Sequence, residues 1–362
     1  MTHKVSFEPK WTNPPGATVL DLLQERGLPV GELAHLAHKD IESVSRLLFG
    51  AEPLTPDWAE RLSEILGSPP TFWLRREELY RTDLKRLCEA VIDCGADAWL
   101  HNLPLKDMIR FGWIRRGSSA HETALNVCAF LGVTTAGAFE RKYKDLLSAS
   151  AFRTSTAFAT QPSAVITWLR QGEIASTAID CARWNEVKLH QSLDIIRALT
   201  REKDPATFLP RLRGILAACG VAIVITRAPK QCRASGATRF LNADKALIQL
   251  SFRYLADDQF WFTVFHEIGH LLLHVHGELF LEGLEKRASG AEAEANEFAR
   301  NTLFAKVGVD ALDHIGTTKF DIARFARRAG IAPGIVVGQL QDRGRIPFKH
   351  FNFLKVRYSW AD

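Results

Sequence analysis

An α+β fold that is mainly α is what this sequence predicts, and three observations carry that reading. Amphipathic helical spacing, punctuated by glycines, runs through most of the first 205 residues. A β-branched run, "VAIVIT" at 221–226, then opens a stretch of short strands. After the strands, "FWFTVFHEIGHLLLHVHG" (Phe260–Gly277) reads as a long helix, apolar nearly all round, with His266, Glu267 and His270 in its middle. Isolated buried charge is strongly disfavoured, so three ionisable groups within five positions need a common partner.

The 362 residues suffice for two or three domains, each with its own core. A composition of 46% hydrophobic and 24% charged residues is that of a globular protein and argues against a disordered or fibrous one. Every apolar run is broken by His, Glu or Arg short of a membrane span, and "MTHKVSFEPK" shows no signal-peptide pattern. Cys88, Cys94, Cys128, Cys181, Cys219 and Cys232 form no CxxC pair and read as reduced, mostly buried thiols, as expected in a cytoplasmic protein. Residues 1–80 hold 8 Lys and Arg against 12 Asp and Glu, a balance of −4; residues 321–362 hold 8 against 3, a balance of +5. The basic end is the C-terminus.

Residues 1–80 predict four or five short helices. "ATVLDLLQERG" ends on a glycine, "PVGELAHLA" follows, "HKD" makes a tight turn, and "IESVSRLLFG" ends on another glycine. "WAERLSEILG" places Trp58, Leu62, Ile65 and Leu66 at helical spacing, and "SPPTFWLRREELY" continues. The second and third helices have helix-turn-helix spacing. In that geometry the third helix would enter a major groove, with Lys39, Ser43, Ser45 and Arg46 as the DNA-binding candidates near its start. Asp40 and Glu42 stand beside them, so docking of a protein partner, or dimerisation, is the competing use.

Residues 81–205 predict a helical middle region without a chemical motif. Its single histidines, His101, His121 and His190, read as surface or locally bonded residues. From 206, "TFLPRLRGILAACG" is a helix, "VAIVIT" a strand, and "GATRF" and "KALIQLSFRY" two strands about the "LNADK" turn, giving a small antiparallel sheet ahead of the apolar helix. The "SGAT" turn (Ser235–Thr238) and "ALIQLS" are candidate walls of a substrate cleft, where an open strand edge would take an extended peptide. Residues 306–362 predict a helical pair and a basic aromatic tail, read chiefly as a solvated face and secondarily as a contact for nucleic acid or an acidic partner.

His266 and His270 lie four apart, so a helix projects both from one face. Two imidazoles so placed chelate one tetrahedral ion, and Glu267 beside the first reaches water without binding the metal. The spacing fits two ligands and a general base, with a zinc ion lowering the pKa of water to about 7. A third ligand is needed, and "GAEAEANEFARNTLF" offers Glu292, Glu294 and Glu297. At about 100° per residue, Ala295, Asn296, Ala299 and Leu303 share the face of Glu292, whereas Glu294 and Glu297 fall on the other side. Glu292 is therefore the expected ligand, with Glu294 the alternative. Asn296, one turn on, is placed to support a histidine from behind, or else to make a helix–helix hydrogen bond with no metal role. His274 and His276 are expected to cap the helix end or face solvent. The donor set suits zinc, and other divalent ions as well.

"HEIGHLLLH" followed by "EAEANEFARNTLF" resembles the ImmA/IrrE family of zinc metallopeptidases over roughly residues 206–305, although "LFAKVG" lacks the proline that often follows in that family. "GELAHLAHKDIESVSRLLFG" with "LTPDWAERLSEILGSPPTFWL" resembles the DNA-binding domain of XRE-type repressors and HigA-like antitoxins. The resemblance implies an XRE-type domain at 1–80, a helical region at 81–205, a gluzincin-like metallopeptidase domain at 206–305 and a C-terminal helical pair with its tail at 306–362. It also implies His266, His270 and Glu292 on zinc, Glu267 as base, and a repressor or antitoxin as the protein cleaved. DNA contact through the N-terminal domain and a homodimer are compatible expectations; membrane association is not expected. The rival expectation is a non-catalytic DNA-binding regulator or antitoxin whose metal domain is sensory or structural.

Overall fold

Helix ends fall where the sequence places capping chemistry. The structure, a computed structural model, describes residues 12–92, 100–133, 136–143, 161–274, 279–281 and 290–360. It opens with α1 (Pro15–Glu25), α2 (Val30–Leu36), α3 (Ile41–Leu48), α4 (Pro56–Leu66) and α5 (Pro70–Ile92). The Asp40 carboxylate accepts from the Ser43 amide at 2.7 Å to start α3, and Thr55 accepts from the Trp58 amide to start α4. Gly67 closes α4 at φ 75°, a left-handed conformation that glycine adopts without a Cβ clash. Next come α6 (Leu105–Arg110), α7 (Ala120–Leu131), α8 (Ala136–Lys142) and α9 (Pro162–Ser176). Among the described residues of 81–205 there is no strand.

The chain divides into two compact units, Met1–Asp180 with Pro229–Cys232, and Cys181–Ala228 with Arg233–Asp362. In the first, Val19, Leu33, Val44, Leu47, Trp58, Leu62 and Trp73 form one buried cluster. The α2–turn–α3 pair is present, yet α3 is not open to solvent at the positions expected to meet DNA. Ser43 and Ser45 are buried, because the Ser43 hydroxyl donates to Glu52 at 2.7 Å and the Ser45 hydroxyl donates to the Ile41 carbonyl and lies 3.3 Å from Thr177 Oγ1. Arg170 of α9 stacks over Phe49, 4.6 Å from the ring centre, covering the end of α3. Lys39 pairs with Asp57 at 2.7 Å and Arg46 with Glu52 at 3.2 Å.

The second unit comprises α10 (Glu186–Leu199), α11 (Pro205–Ala217), β1 (Val221–Ile225), β2 (Gly236–Asn242), β3 (Lys245–Leu250), α12 (Asp257–Leu273), β4 (Phe280–Leu281), α13 (Gly290–Leu303), α14 (Lys319–Ala329) and α15 (Pro333–Asp342). The sheet order is β1-β3-β2-β4, and β1 runs parallel to β3 while β2 runs antiparallel to it. The sheet is therefore mixed, a correction to the antiparallel sheet expected. The "LNADK" turn reverses the chain once between β2 and β3, and β1 lies along the far edge of β3 in the same direction. That placement also corrects the expected open edge. β3 is interior, and β2 is paired with β4 at Ala237 and Thr238.

One hydrophobic core joins α10, α11, the sheet, α12 and the C-terminal helices through residues such as Leu189, Phe208, Ile248, Trp261, Phe265, Phe304, Ile322 and Leu340. The apolar helix of the sequence is α12, and its His266, Glu267, Ile268 and Phe265 have 0% exposure. Much of the basic C-terminal charge is used inside this unit: Arg343 pairs with Asp313, and Arg345 donates to the Leu312 and Ile315 carbonyls. Among the described residues the five cysteines form no disulfide with one another, and Cys94 lies outside them.

The start of α12 is held by the C-terminal strap. Asp257 N donates to the Val356 carbonyl at 3.0 Å and Tyr358 N to the Leu255 carbonyl at 2.9 Å. Lys355 pairs with Asp258 at 2.7 Å in a site where both side chains are under a tenth exposed. Asp257 packs on Gly334 of α15, where an added Cβ would stand 2.5 Å from both carboxylate oxygens. Burial, and then the charge of Asp258, push the Asp257 carboxyl up to about 7. A folded-state value above the unfolded one, about 3.9, gives stability that is full below that pH and lost as pH rises through about 7. Wild-type Tm is thus expected to fall relative to Asp257→Asn between pH 4 and 8, by on the order of a few kcal/mol of stability. Parallel melting curves for the two proteins across that range would remove the assignment.

Candidate metal centre

Three side chains from two helices converge inside the second unit. Gly269 of α12 allows the approach, since a Cβ there would meet Phe298 Cδ1 at 3.0 Å and Ala295 Cα at 3.3 Å. On α13 the facing residues Ala295, Ala299 and Leu303 have 0% exposure, and Glu292 is buried with them. This is the alanine-rich face chosen by helical angle, and small residues let the two backbones close.

His266 Nε2 lies 3.2 Å from Glu292 Oε2, and His270 Nε2 lies 3.4 Å from Glu292 Oε1. The two Nε2 atoms are 3.0 Å apart. His266, His270 and Glu292 each offer one ligand atom within 4.8 Å of the others, among the described residues the sole such cluster of His, Cys, Asp and Glu. Burial raises the Glu292 carboxyl, but hydrogen bonds and charge from His266 and His270 outweigh it and hold it at about 2. Burial depresses His270, which favours the neutral form that a ligand requires. Two imidazoles and one carboxylate fit a divalent ion of zinc type.

The outer contacts aim the ligands. His266 Nδ1 is 3.1 Å from Asn296 Oδ1; a ring proton on Nδ1 would donate to that oxygen and keep Nε2 for a cation. Glu294 and Glu297 are exposed, as the helical angles indicate. His274 does terminate α12 as its C-cap, with its amide 3.2 Å from the His270 carbonyl. Its ring does not face solvent, however: Nδ1 is 3.0 Å from His270 Nδ1 and Nε2 is 3.1 Å from Glu294 Oε2. His276 lies outside the described residues. His101 and His190 are exposed and His121 is half-buried, and all three lie apart from the cluster.

Glu267 does not join the ligand atoms. The buried Thr238 hydroxyl on β2 donates to Glu267 Oε2 at 2.5 Å. Gly236 leaves the space that the carboxylate fills, because a Cβ there would stand 2.1 Å from Glu267 Oε1 and 2.9 Å from Thr263 Cγ2. Sequence reasoning placed "SGAT" near the cleft without seeing this bond, which joins residues 29 apart and leaves no periodic trace. A shallow cleft lined by Ser235, Phe252, Arg253, Tyr254, Gln259 and Thr263 adjoins this position. Gly236→Ala is expected to lower turnover by about 10²-fold with metal content unchanged, the cost of displacing a catalytic group by about 1 Å. Unchanged turnover in that variant would show that the base is not held here.

The Peptidase_M78 family model, the IrrE N-terminal-like domain, matches residues 221–332, a span that contains every residue of the centre. The chain is also 33% identical over 66 residues, 18% of this chain and 70% of the relative, to the uncharacterized HTH-type transcriptional regulator YddM of Escherichia coli (strain K12). Residues 221–332 are thus an IrrE N-terminal-like domain, and the chain belongs to one family with that regulator. Among the described residues no helix is long and apolar enough to cross a membrane.

Proposed function

We propose that the chain is a zinc-dependent endopeptidase of the cytoplasm that cleaves a partner repressor or antitoxin, with residues 1–80 as its docking domain for DNA or protein. The observation that carries this reading is the convergence of His266, His270 and Glu292, with Glu267 beside them but outside the ligand set. A divalent ion bound there supplies Lewis-acid activation of water and of a substrate carbonyl. Glu267 accepts the proton of the attacking water and returns it to the leaving amine. Thr238 holds Oε2, which orients the carboxylate toward the reacting water. Burial of the whole group excludes bulk solvent and strengthens each electrostatic contact. The test is incubation of purified protein with the products of neighbouring genes, followed by mass spectrometry of fragments. Chelator-sensitive cleavage at a defined bond supports the reading, and intact partners under every metal condition refute it.

A second reading, a non-catalytic DNA-binding regulator with a sensory or structural metal domain, is favoured by the similarity to a protein named as a transcriptional regulator. The covered positions of α3 and the ion pairs of Lys39 and Arg46 weigh against direct base reading by that helix. A mobility shift on the chain's own promoter, with and without chelator, separates the readings. A specific shift that chelator alters, with no proteolysis, favours the regulator.

A further inference from the structure

We infer that His274 and Glu294 are positioning residues that set how tightly the centre holds its cation, by fixing the tautomer and the ring orientation of His270. The inference rests on the metal-centre reading above. To offer its Nε2 lone pair inward, His270 must carry its proton on Nδ1. That proton points at His274 Nδ1, 3.0 Å away, which must then be the accepting nitrogen. The His274 proton is thereby placed on Nε2, 3.1 Å from the Glu294 carboxylate. One tautomer sequence satisfies both of these contacts: His270 donates, His274 accepts and donates, and Glu294 accepts.

The two imidazole ligands are supported unequally. His266 ends on the neutral amide oxygen of Asn296, whereas His270 is linked through a second imidazole to an anion. An anion at the end of such a chain polarises each bond in it and holds the His270 ring in one tautomer and one orientation. The His274 side chain is 10% exposed and Glu294 64%, so solvent screens the carboxylate and the larger share of the effect falls to His274. The break in the helix at His274 contributes: its extended backbone, φ −117° and ψ 157°, ends the helix while the ring lies 5.0 Å from that of His270, tilted by 46°.

The test uses the full chain and zinc alone, with affinity read by competition against a chromogenic chelator and no substrate present. His274→Phe should weaken zinc binding 10–100-fold at unchanged stoichiometry. His274→Asn, whose side-chain oxygen replaces the accepting Nδ1, should recover most of that loss. Glu294→Gln should weaken binding less than tenfold, since its amide oxygen still accepts. Melting of the metal-free proteins checks that each variant is folded, and Asn and Gln variants carry the test if the Phe variant is not. Equal affinity in wild type and His274→Phe, or no recovery in His274→Asn, overturns the inference. Failure of wild type itself to bind zinc removes the underlying centre, an outcome read from the unmutated protein alone.

Discussion

Glu267→Gln is expected to lower peptide hydrolysis by about 10²–10⁴-fold, the usual worth of a general base. Gln has the same shape and accepts the same Thr238 hydrogen bond, so the pocket between Gly236 and Thr263 stays filled. What it lacks is the ability to take a proton. Since Glu267 is outside the ligand set, metal content and Tm should match wild type. The measurement is cleavage rate on the partner protein beside metal content of the same sample. If the variant cleaves at the wild-type rate, Glu267 is not the base; if it loses the metal, the separation of base from ligands is wrong.

Glu292→Ala is expected to weaken zinc binding beyond the 10–100-fold typical of residues one layer further out. The substitution removes the sole carboxylate of the three-residue cluster and leaves two histidines on one helix. Glu292→Gln separates charge from volume: it keeps the packing against Ala295 and Ala299 yet supplies no anion. Both variants should fold, because the core is carried by residues such as Trp261, Phe265 and Leu303. Chelator competition reads the affinities, and wild-type affinity in either variant would mean that the third ligand lies elsewhere.

The His–His–Glu cluster was legible because its members obey local periodicity. His266 and His270 are one turn apart, and Glu292 is separable from Glu294 by the angle it makes with Ala295, Ala299 and Leu303. The helices of the first 80 residues were legible for a similar reason, with closing glycines such as Gly27 and Gly50, both at positive φ. Non-local pairings were not. The hairpin of β2 and β3 was visible in its turn, but nothing local tells β1 to lie beside β3 rather than β2. Thr238 on Glu267 is a sheet-to-helix contact of the same kind. Burial of Ser43 and Ser45 depends on Glu52 and on Thr177, 132 residues from Ser45, so helix-turn-helix spacing alone placed them on an open face. His274 stands one turn beyond His270, but spacing does not show that its ring turns back to His270 Nδ1.

The claim on which the account depends is that one divalent ion is held by His266, His270 and Glu292. Elemental analysis of purified wild-type protein and Glu292→Ala, prepared side by side and dialysed at limiting zinc, measures it directly. The account predicts about one equivalent of metal per chain in wild type and far less in the variant. Metal-free wild-type protein, or equal metal in both, would contradict it.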